Sequence, residues 1–203
     1  MKNKNTYILV VLFVFLLAVL VGVAINGSPN TQKLILNSHV IRPLNSQSQA
    51  KQLAPADTGD GKFKVVGTSR QLANGSTSYS FQVVDLKKNA YIPLYGATAP
   101  SGTTMQIPGN SWSPDDKQLF LETNTAQGSD FLVFKFDGTA YSDGQKYLRV
   151  SDYWKNSTLK IKTITGWAGF VELTAFTTAA DGSRGPSFWF VTSTRKFVQL
   201  QTR

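Results

Sequence analysis

The chain has 203 residues, of which 41% are hydrophobic and 16% charged, so it is long enough for one folded domain and too apolar for a disordered tail. Its 16 Gly and 12% aromatic residues favour short strands and turns over long helices. The lack of cysteine excludes disulfides, thiolate metal sites, cysteine nucleophiles and a lipidated cysteine anchor, and the single histidine leaves little for acid–base catalysis.

Residues 7–25 form an uncharged, almost wholly apolar stretch. As a helix this stretch is about 28 Å long, close to the ~30 Å hydrocarbon core of a bilayer. We expect a transmembrane signal anchor, because the stretch is longer than the ~7–15 residues of a signal-peptide core. The alternative is a cleavable signal peptide that ends near residues 22–24. Lys2 and Lys4 precede the stretch, which predicts that residues 1–6 are cytoplasmic and that the rest of the chain is extracytoplasmic, at the cell membrane.

Residues 26–61 are rich in Asn, Gln, Ser, Pro and Gly and are predicted to be a flexible linker that holds the domain away from lipid. One apolar island, LILNSHVI at residues 34–41, contains His39. A ligand or proton-carrying role for this histidine is conceivable, but a lone histidine in a linker is expected to be incidental.

Residues 62–203 are predicted to contain a strand repeat. Trp112 and Trp167 are 55 residues apart and each precedes a turn and an alternating strand, and an earlier copy begins at GKFKVVGTSR (residues 61–70). Alternation of apolar and polar residues indicates strands with one buried face. The nearly continuous apolar runs at 131–136 and 188–191 predict strands that are covered on both faces. Asn-Gly and Asp-Gly pairs between the strands indicate antiparallel hairpins.

The segment PGNSWSPDDKQLFLETNTAQGSDFLVFKFDG, which contains Trp112, resembles the blade repeat of TolB-like and other WD40-like β-propellers. That repeat has a WSPDG-type turn before a strand and a later strand that ends in a VDL or YDG-type hairpin; FQVVDL at residues 81–86 is similar to the latter. The copy at Trp167 keeps the tryptophan but lacks the SPD turn. The resemblance implies an all-β domain of about three antiparallel, propeller-like blades behind one transmembrane helix.

The turn after Trp112 is interpreted as structural. Pro114 fixes φ in the turn, Asp115 can accept backbone N–H bonds, and the indoles of Trp112 and Trp167 can be buried between sheets. A catalytic pair formed by Asp115 and Asp116 is the alternative, but no second acid or nucleophile completes such a site. Since the sequence also lacks nucleotide, metalloprotease, hydrolase and calcium motifs, we expect no catalytic residues, no metal and no cofactor.

The formal charge of +9 makes anionic partners plausible. A candidate binding patch consists of Lys87, Lys88, Lys160, Lys162, Arg195 and Lys196, with the aromatic residues Tyr147, Tyr153 and Trp154 available for stacking. The simpler interpretation is a solvated basic surface with these rings in the core. Acidic envelope glycans and phospholipid headgroups are candidate ligands, and no sequence motif favours nucleic acid.

These features lead to one main hypothesis for function and two alternatives. The main one is a non-enzymatic, membrane-anchored binding module that docks a protein or an anionic envelope polymer. Three repeats are fewer than the four to eight blades of closed propellers, so the first alternative is an assembly subunit that completes a β array by edge pairing, including with a second copy. A propeller region that accompanies a hydrolase is the other alternative, although no catalytic domain is apparent.

Overall fold

The computed structural model describes residues 49–201. This part of the chain is all-β and forms three antiparallel sheets, each an open row of strands, with no closed barrel or propeller. None of its helices is both long and apolar enough to cross a membrane. The predicted anchor at residues 7–25, most of the predicted linker and His39 lie outside the described residues, so the structure does not test them.

The three sheets follow one another along the chain, and most hydrogen-bonded neighbours are consecutive strands. Sheet 1 contains β1 (Lys51–Gln52), β2 (Ala56–Asp57), β3 (Phe63–Gln71), β4 (Thr77–Asp85) and β5 (Ala90–Ala99). Sheet 2 contains β6 (Thr104–Gln106), β7 (Gln118–Thr125), β8 (Gly128–Lys135) and β9 (Leu148–Arg149), followed by the short helix α1 (Val150–Tyr153). Sheet 3 contains β10 (Leu159–Trp167), β11 (Glu172–Ala179), β12 (Arg184–Val191) and β13 (Lys196–Gln199).

Sheet 1 begins earlier in the chain than the sequence predicts. Strands β1 and β2 belong to the predicted linker at 26–61, yet both pair with β3, with Lys51 opposite Ser69 and Ala56 opposite Val65. Polar composition does not prevent this pairing, because a sheet edge is held by backbone hydrogen bonds and only Ala56 needs to be buried. The first repeat therefore includes residues that composition alone assigns to the spacer.

Two apolar clusters hold the sheets together. In one of them Leu119, Leu121 and Phe134 of sheet 2 pack with residues of sheet 1, and in the other Phe120 and Val133 of sheet 2 pack with residues of sheet 3. Successive residues of a strand point to opposite faces, so sheet 2 is covered on both sides. The prediction of a doubly covered strand is confirmed for β8, whose residues 131–134 are all buried.

The same prediction is wrong for β12. Phe188 and Phe190 are buried between sheets 2 and 3, but Trp189 between them is 38% exposed. Trp189 is next to Val198 of β13, which is also exposed. Within residues 49–201 no fourth sheet covers this face, so an apolar run marks a strand that is buried on one side only. We call this surface the outer face of sheet 3.

Two tryptophan indoles connect consecutive sheets in the same way. The Nε1–H group of Trp112 donates to the carbonyl of Ala56 at 3.0 Å, and that of Trp167 donates to the carbonyl of Ser111 at 2.8 Å. Each bond spans 56 residues of sequence. The acceptors are 55 residues apart, as are the donors, so the connection repeats with the period of the sequence.

We expect Trp112→Phe to lower the free energy of unfolding by about 1–3 kcal/mol, because the carbonyl of Ala56 loses its donor in a buried environment. Urea unfolding of the full chain, followed by circular dichroism, measures this loss. Trp189→Phe is the control, since a conservative change at an exposed position is expected to cost at most about 0.5 kcal/mol. Equal losses in the two variants would contradict the role assigned to the Trp112 indole.

Candidate functional site

The turns before β3 and β7 have the same construction. Thr58 Oγ1 donates to Asp60 Oδ1 at 2.9 Å, and Ser113 Oγ donates to Asp115 Oδ1 at 2.8 Å. In each turn the same hydroxyl oxygen accepts a backbone N–H at the start of the following strand, at 3.0 and 2.9 Å. The sequence TGDGK at 58–62 is therefore the first copy of SPDDK at 113–117. The sequence reading missed this copy because Gly replaces Pro and the tryptophan is absent.

Each turn ends in a lysine that is held beside the turn carboxylate. Lys62 Nζ lies 2.6 Å from Asp60, and Lys117 Nζ lies 3.4 Å from Asp115. The backbone N–H of each lysine also donates to the same carboxylate. These bonds commit Asp115 to the turn, in agreement with its predicted structural role, and direct both lysines toward the end of the sheets where the turns lie.

Asp116 is placed differently from Asp115. It has a positive φ of 57° at the position that Gly61 occupies in the first turn, where φ is 68°. Burial and the nearby charge of Asp60 raise the pKa of Asp116. The two adjacent carboxylates thus have separate partners and do not converge on a common point. Within residues 49–201 there is also no cluster of three or more His, Cys, Asp or Glu residues that could hold a metal.

A cleft lies between the turn ends of sheets 2 and 3. Its volume is about 430 Å³, within the range of small-molecule sites. It is lined by turn and strand-end residues of both sheets, namely Lys117, Gln118, Lys135, Phe136, Asp137, Tyr141, Ser142, Val171, Thr192, Ser193 and Arg195. Three cations and one carboxylate line it, and two of the cations, Lys117 and Arg195, also form ion pairs with Asp115 and Asp143. We call it the basic cleft.

The cations of the basic cleft are held by local bonds. Lys135 Nζ donates to the carbonyl of Ala140 at 2.9 Å and lies 5.4 Å from the centre of the Tyr141 ring. Arg195 Nη1 donates to Asp143 Oδ2 at 2.6 Å. Burial raises the pKa of Tyr141, so its hydroxyl stays protonated at neutral pH. The cleft therefore presents fixed positive charges and a neutral phenol.

A second cavity is lined by aromatic residues and shares Arg195 with the basic cleft. Its volume is about 440 Å³, and its lining consists of Tyr153, Trp154, Lys155, Asn156, Phe188, Arg195, Lys196 and Phe197. The Trp154 ring meets those of Phe188 and Phe197 edge-on, at centroid distances of 5.0 and 4.7 Å. Its indole N–H donates to the carbonyl of Leu159 at 2.8 Å. These contacts fix the orientation of the Trp154 ring. We call this cavity the aromatic cavity.

The six basic residues of the predicted patch belong to two sheets and do not all line one cavity. Lys87 and Lys88 lie in the β4–β5 turn of sheet 1, where Asp85 accepts both of their backbone N–H groups. Lys160 and Lys162 lie on β10, and Lys162 lines a third cavity of about 360 Å³ on sheet 3 together with Arg184.

Only Arg195 and Lys196, of these six residues, line the same cavity. Tyr153 and Trp154 also line it, whereas Tyr147 packs against Tyr95 and Phe134 beside the first apolar cluster.

Sequence reasoning missed the lysines that line the basic cleft. Lys117 could have been found, because it ends the repeated turn at the position of Lys62. No local signal marks Lys135, which reaches the cleft only because the β8 strand ends there. The cleft is formed by segments that are far apart in sequence, such as the turn at 113–117 and the turn at 192–195. Its composition therefore follows from the packing of sheet 3 on sheet 2.

The hydrogen bonds of the turn at 58–62 allow a prediction about the titration of Asp60. The side-chain and backbone hydrogen bonds from Lys62 lower the pKa of Asp60 to about 2 from an ordinary value of 3.8. A carboxyl whose pKa is depressed by folding stabilises the folded state above its ordinary pKa, and this contribution is lost as the pH falls toward the lower value. We therefore expect the Asp60 carboxyl to titrate near pH 2 by NMR.

Lys62→Met should move the midpoint of the Asp60 titration upward, because it removes the largest cause of the shift. Lys64→Met, which removes the partner of Asp57 instead, should leave the midpoint in place. Unfolding of Asp60→Asn should depend less on pH between 4 and 2 than unfolding of the unmodified chain. A midpoint near 4 for Asp60 in the folded protein would contradict the assignment.

No protein-family model matches the chain. The function must therefore be argued from its own geometry. In the described residues two features stand out. One is the repeated turn, whose carboxylates Asp60 and Asp115 accept local hydrogen bonds. The other is a pair of cavities that share Arg195, one lined by cations and one by aromatic rings.

Proposed function

We propose that this protein is a membrane-anchored, extracytoplasmic binding module without catalytic activity, which docks a protein or an anionic envelope polymer. In this proposal residues 7–25 are the anchor and the three sheets are propeller-like blades. The basic cleft is the docking site. The proposal rests on one observation above all: Lys117, Lys135 and Arg195, which come from three separate segments, converge on one concave surface.

The charge balance of the cleft supports an anionic partner. Its one lining carboxylate, Asp137, accepts the backbone N–H and the hydroxyl of Thr139 and is therefore engaged in its own turn. Lys117 lies 3.4 Å from Asp115, but 75% of its side chain is accessible. An ion pair of such an exposed lysine is weak, so a ligand can compete for the ammonium group. A concave site in which the lining cations outnumber the lining carboxylates attracts anions and raises their rate of association.

The test is capture from solubilised membranes with the full-length chain as bait. We expect the unmodified protein to recover a stoichiometric partner, with recovery that falls as salt is raised, because exposed charges are screened. The double variant Lys117→Ala/Arg195→Ala should recover much less. The matched control is Lys162→Ala/Arg184→Ala, which removes the same charge from the third cavity. Equal loss in both variants, or no loss in either, would contradict docking in the basic cleft.

The second candidate is assembly into a larger array, and the outer face of sheet 3 favours it. Trp189 and Val198 are adjacent in register and occupy the positions that Val133 and Leu148 occupy in sheet 2. The latter two are completely buried in the cluster shared with sheet 3. The outer face of sheet 3 thus exposes apolar side chains at the positions through which sheet 2 packs on sheet 3.

Sedimentation of the full chain in a neutral detergent tests this second candidate. An assembly through the outer face should give a protein mass above that of one chain, and Trp189→Lys should reduce the mass to that of a monomer, because a charge in an apolar interface is costly. Tyr91→Lys is the control, since Tyr91 is also exposed but lies on β5 of sheet 1. A monomeric unmodified chain would exclude this mode of assembly.

A further inference from the structure

Arg195 lies where the basic cleft and the aromatic cavity meet, and its side chain lines both. It belongs to the β12–β13 turn, where its N–H donates to the carbonyl of Val191 at 2.7 Å. Its φ is 57°, a left-handed conformation that non-glycine residues seldom adopt. The turn therefore presents a large charged side chain at a position where glycine would be the less strained residue.

The ligands that suit the two cavities differ. The basic cleft offers the ammonium groups of Lys117 and Lys135, which attract anions. The aromatic cavity offers the partly buried Trp154 and Phe197 side chains, which pack on the buried Phe188, together with Lys155 and Lys196. It therefore combines apolar ring surface with positive charge. A ligand that extends over both must carry negative charge and also have apolar faces that can lie against aromatic rings.

Arg195 at present binds a carboxylate of the protein itself. Its guanidinium contacts the Asp143 carboxylate at 2.6 Å and lies 5.9 Å from the centre of the Tyr153 ring. Asp143 belongs to a surface turn in which the N–H of Gly144 donates to the carbonyl of Tyr141. Both partners of the ion pair lie at the surface and are partly exposed, at 26% and 33%, so a carboxylate from solvent can reach the guanidinium. A carboxylate of a ligand could therefore replace Asp143 on Arg195.

We propose that the joined cavities bind an acidic polysaccharide through its carboxylates. One carboxylate displaces Asp143 from Arg195, a second lies against Lys117 and Lys135 in the basic cleft, and a sugar ring lies in the aromatic cavity. A polymer is favoured because two pockets of similar size share one side chain. Carboxylate is favoured because the guanidinium is already oriented for a carboxylate. This inference rests on the proposed function and names the ligand class of the same site.

The experiment uses the full-length chain in a neutral detergent and hexagalacturonate as the probe, with calorimetry as the measurement. We expect Arg195→Ala to weaken binding about tenfold or more, because a charge-assisted hydrogen bond is lost. We expect Asp143→Asn to strengthen binding by about threefold or more, because the neutral amide competes less well for the guanidinium. A side chain with only a structural role would not produce changes in opposite directions.

Two variants of sheet 3 control for charge alone. Arg184→Ala removes a cation that lies 5.5 Å from the Phe176 ring in the third cavity. Asp181→Asn removes a carboxylate that caps the β11–β12 turn, as Asp143 caps its own. Each should change the affinity by less than about twofold, because exposed charges outside the site are screened at physiological salt.

Three outcomes of the binding experiment would contradict the inference. Equal binding of methyl-esterified hexagalacturonate would exclude recognition through carboxylates, and tighter binding of polyphosphate with the same dependence on Arg195 would assign the site to phosphate polymers. No binding of hexagalacturonate by the unmodified chain or by Asp143→Asn would overturn the glycan inference. If membrane capture still depended on Lys117 and Arg195 in that case, the proposed function would stand with a protein as the partner. If membrane capture did not depend on Lys117 and Arg195 either, both the glycan inference and the proposed function would be overturned.

Discussion

The indole hydrogen bonds of Trp112 and Trp167 fix how each sheet lies on the one before it. A sheet that packs through apolar side chains alone can slide, because dispersion contacts and apolar burial have little directional preference. A buried N–H donor must find an acceptor, and here each indole finds a carbonyl at the equivalent place in the preceding repeat. This requirement selects one register between neighbouring sheets and brings their turns together at one end.

The same end collects the charged residues for a physical reason. The alternate side chains of the strands are used in the two apolar clusters, so charged groups that avoid desolvation are left to the turns and exposed edges. In the turns at 58–62 and 113–117, the carboxylates of Asp60 and Asp115 accept hydrogen bonds from a hydroxyl and from the backbone N–H of a lysine. The lysines beyond them extend into solvent. A basic surface next to a repeated acidic turn is therefore a consequence of how the turn closes.

Sequence predicted the parts of the fold that depend on local pattern. The alternation in β3, the apolar run of β8 and the Gly-containing turns correspond to structure. In β7 Phe120 is buried as well as Leu119 and Leu121, so that strand is covered on both faces and not on one. The sequence prediction failed for β1 and β2, because backbone pairing at a sheet edge needs no apolar residue. The sequence also predicted that Trp189 is buried, which is wrong, because an apolar run does not reveal whether another sheet packs on that face of the strand.

For the candidate site, the predicted patch includes Arg195 and Lys196, which line the cavities, but not Lys117 or Lys135, which also line the basic cleft. The predicted patch joined residues by composition, whereas the cavities join residues by packing between sheets.

Positive φ angles at non-glycine residues are found at the end of the sheets where the repeated turns lie. Among the described residues the non-glycine positions with positive φ are Asn89, Asp116 and Arg195, one in each sheet and all in turns at this end. Asparagine and aspartate tolerate this conformation, and arginine is held in it by the hydrogen bond from its N–H to the carbonyl of Val191, which closes the turn. On the outer face of sheet 3, by contrast, Arg184 already lies against Phe176, which reduces the apolar surface open to a partner. The cations that line the joined cavities therefore make these cavities a better candidate for the proposed docking surface than the outer face of sheet 3.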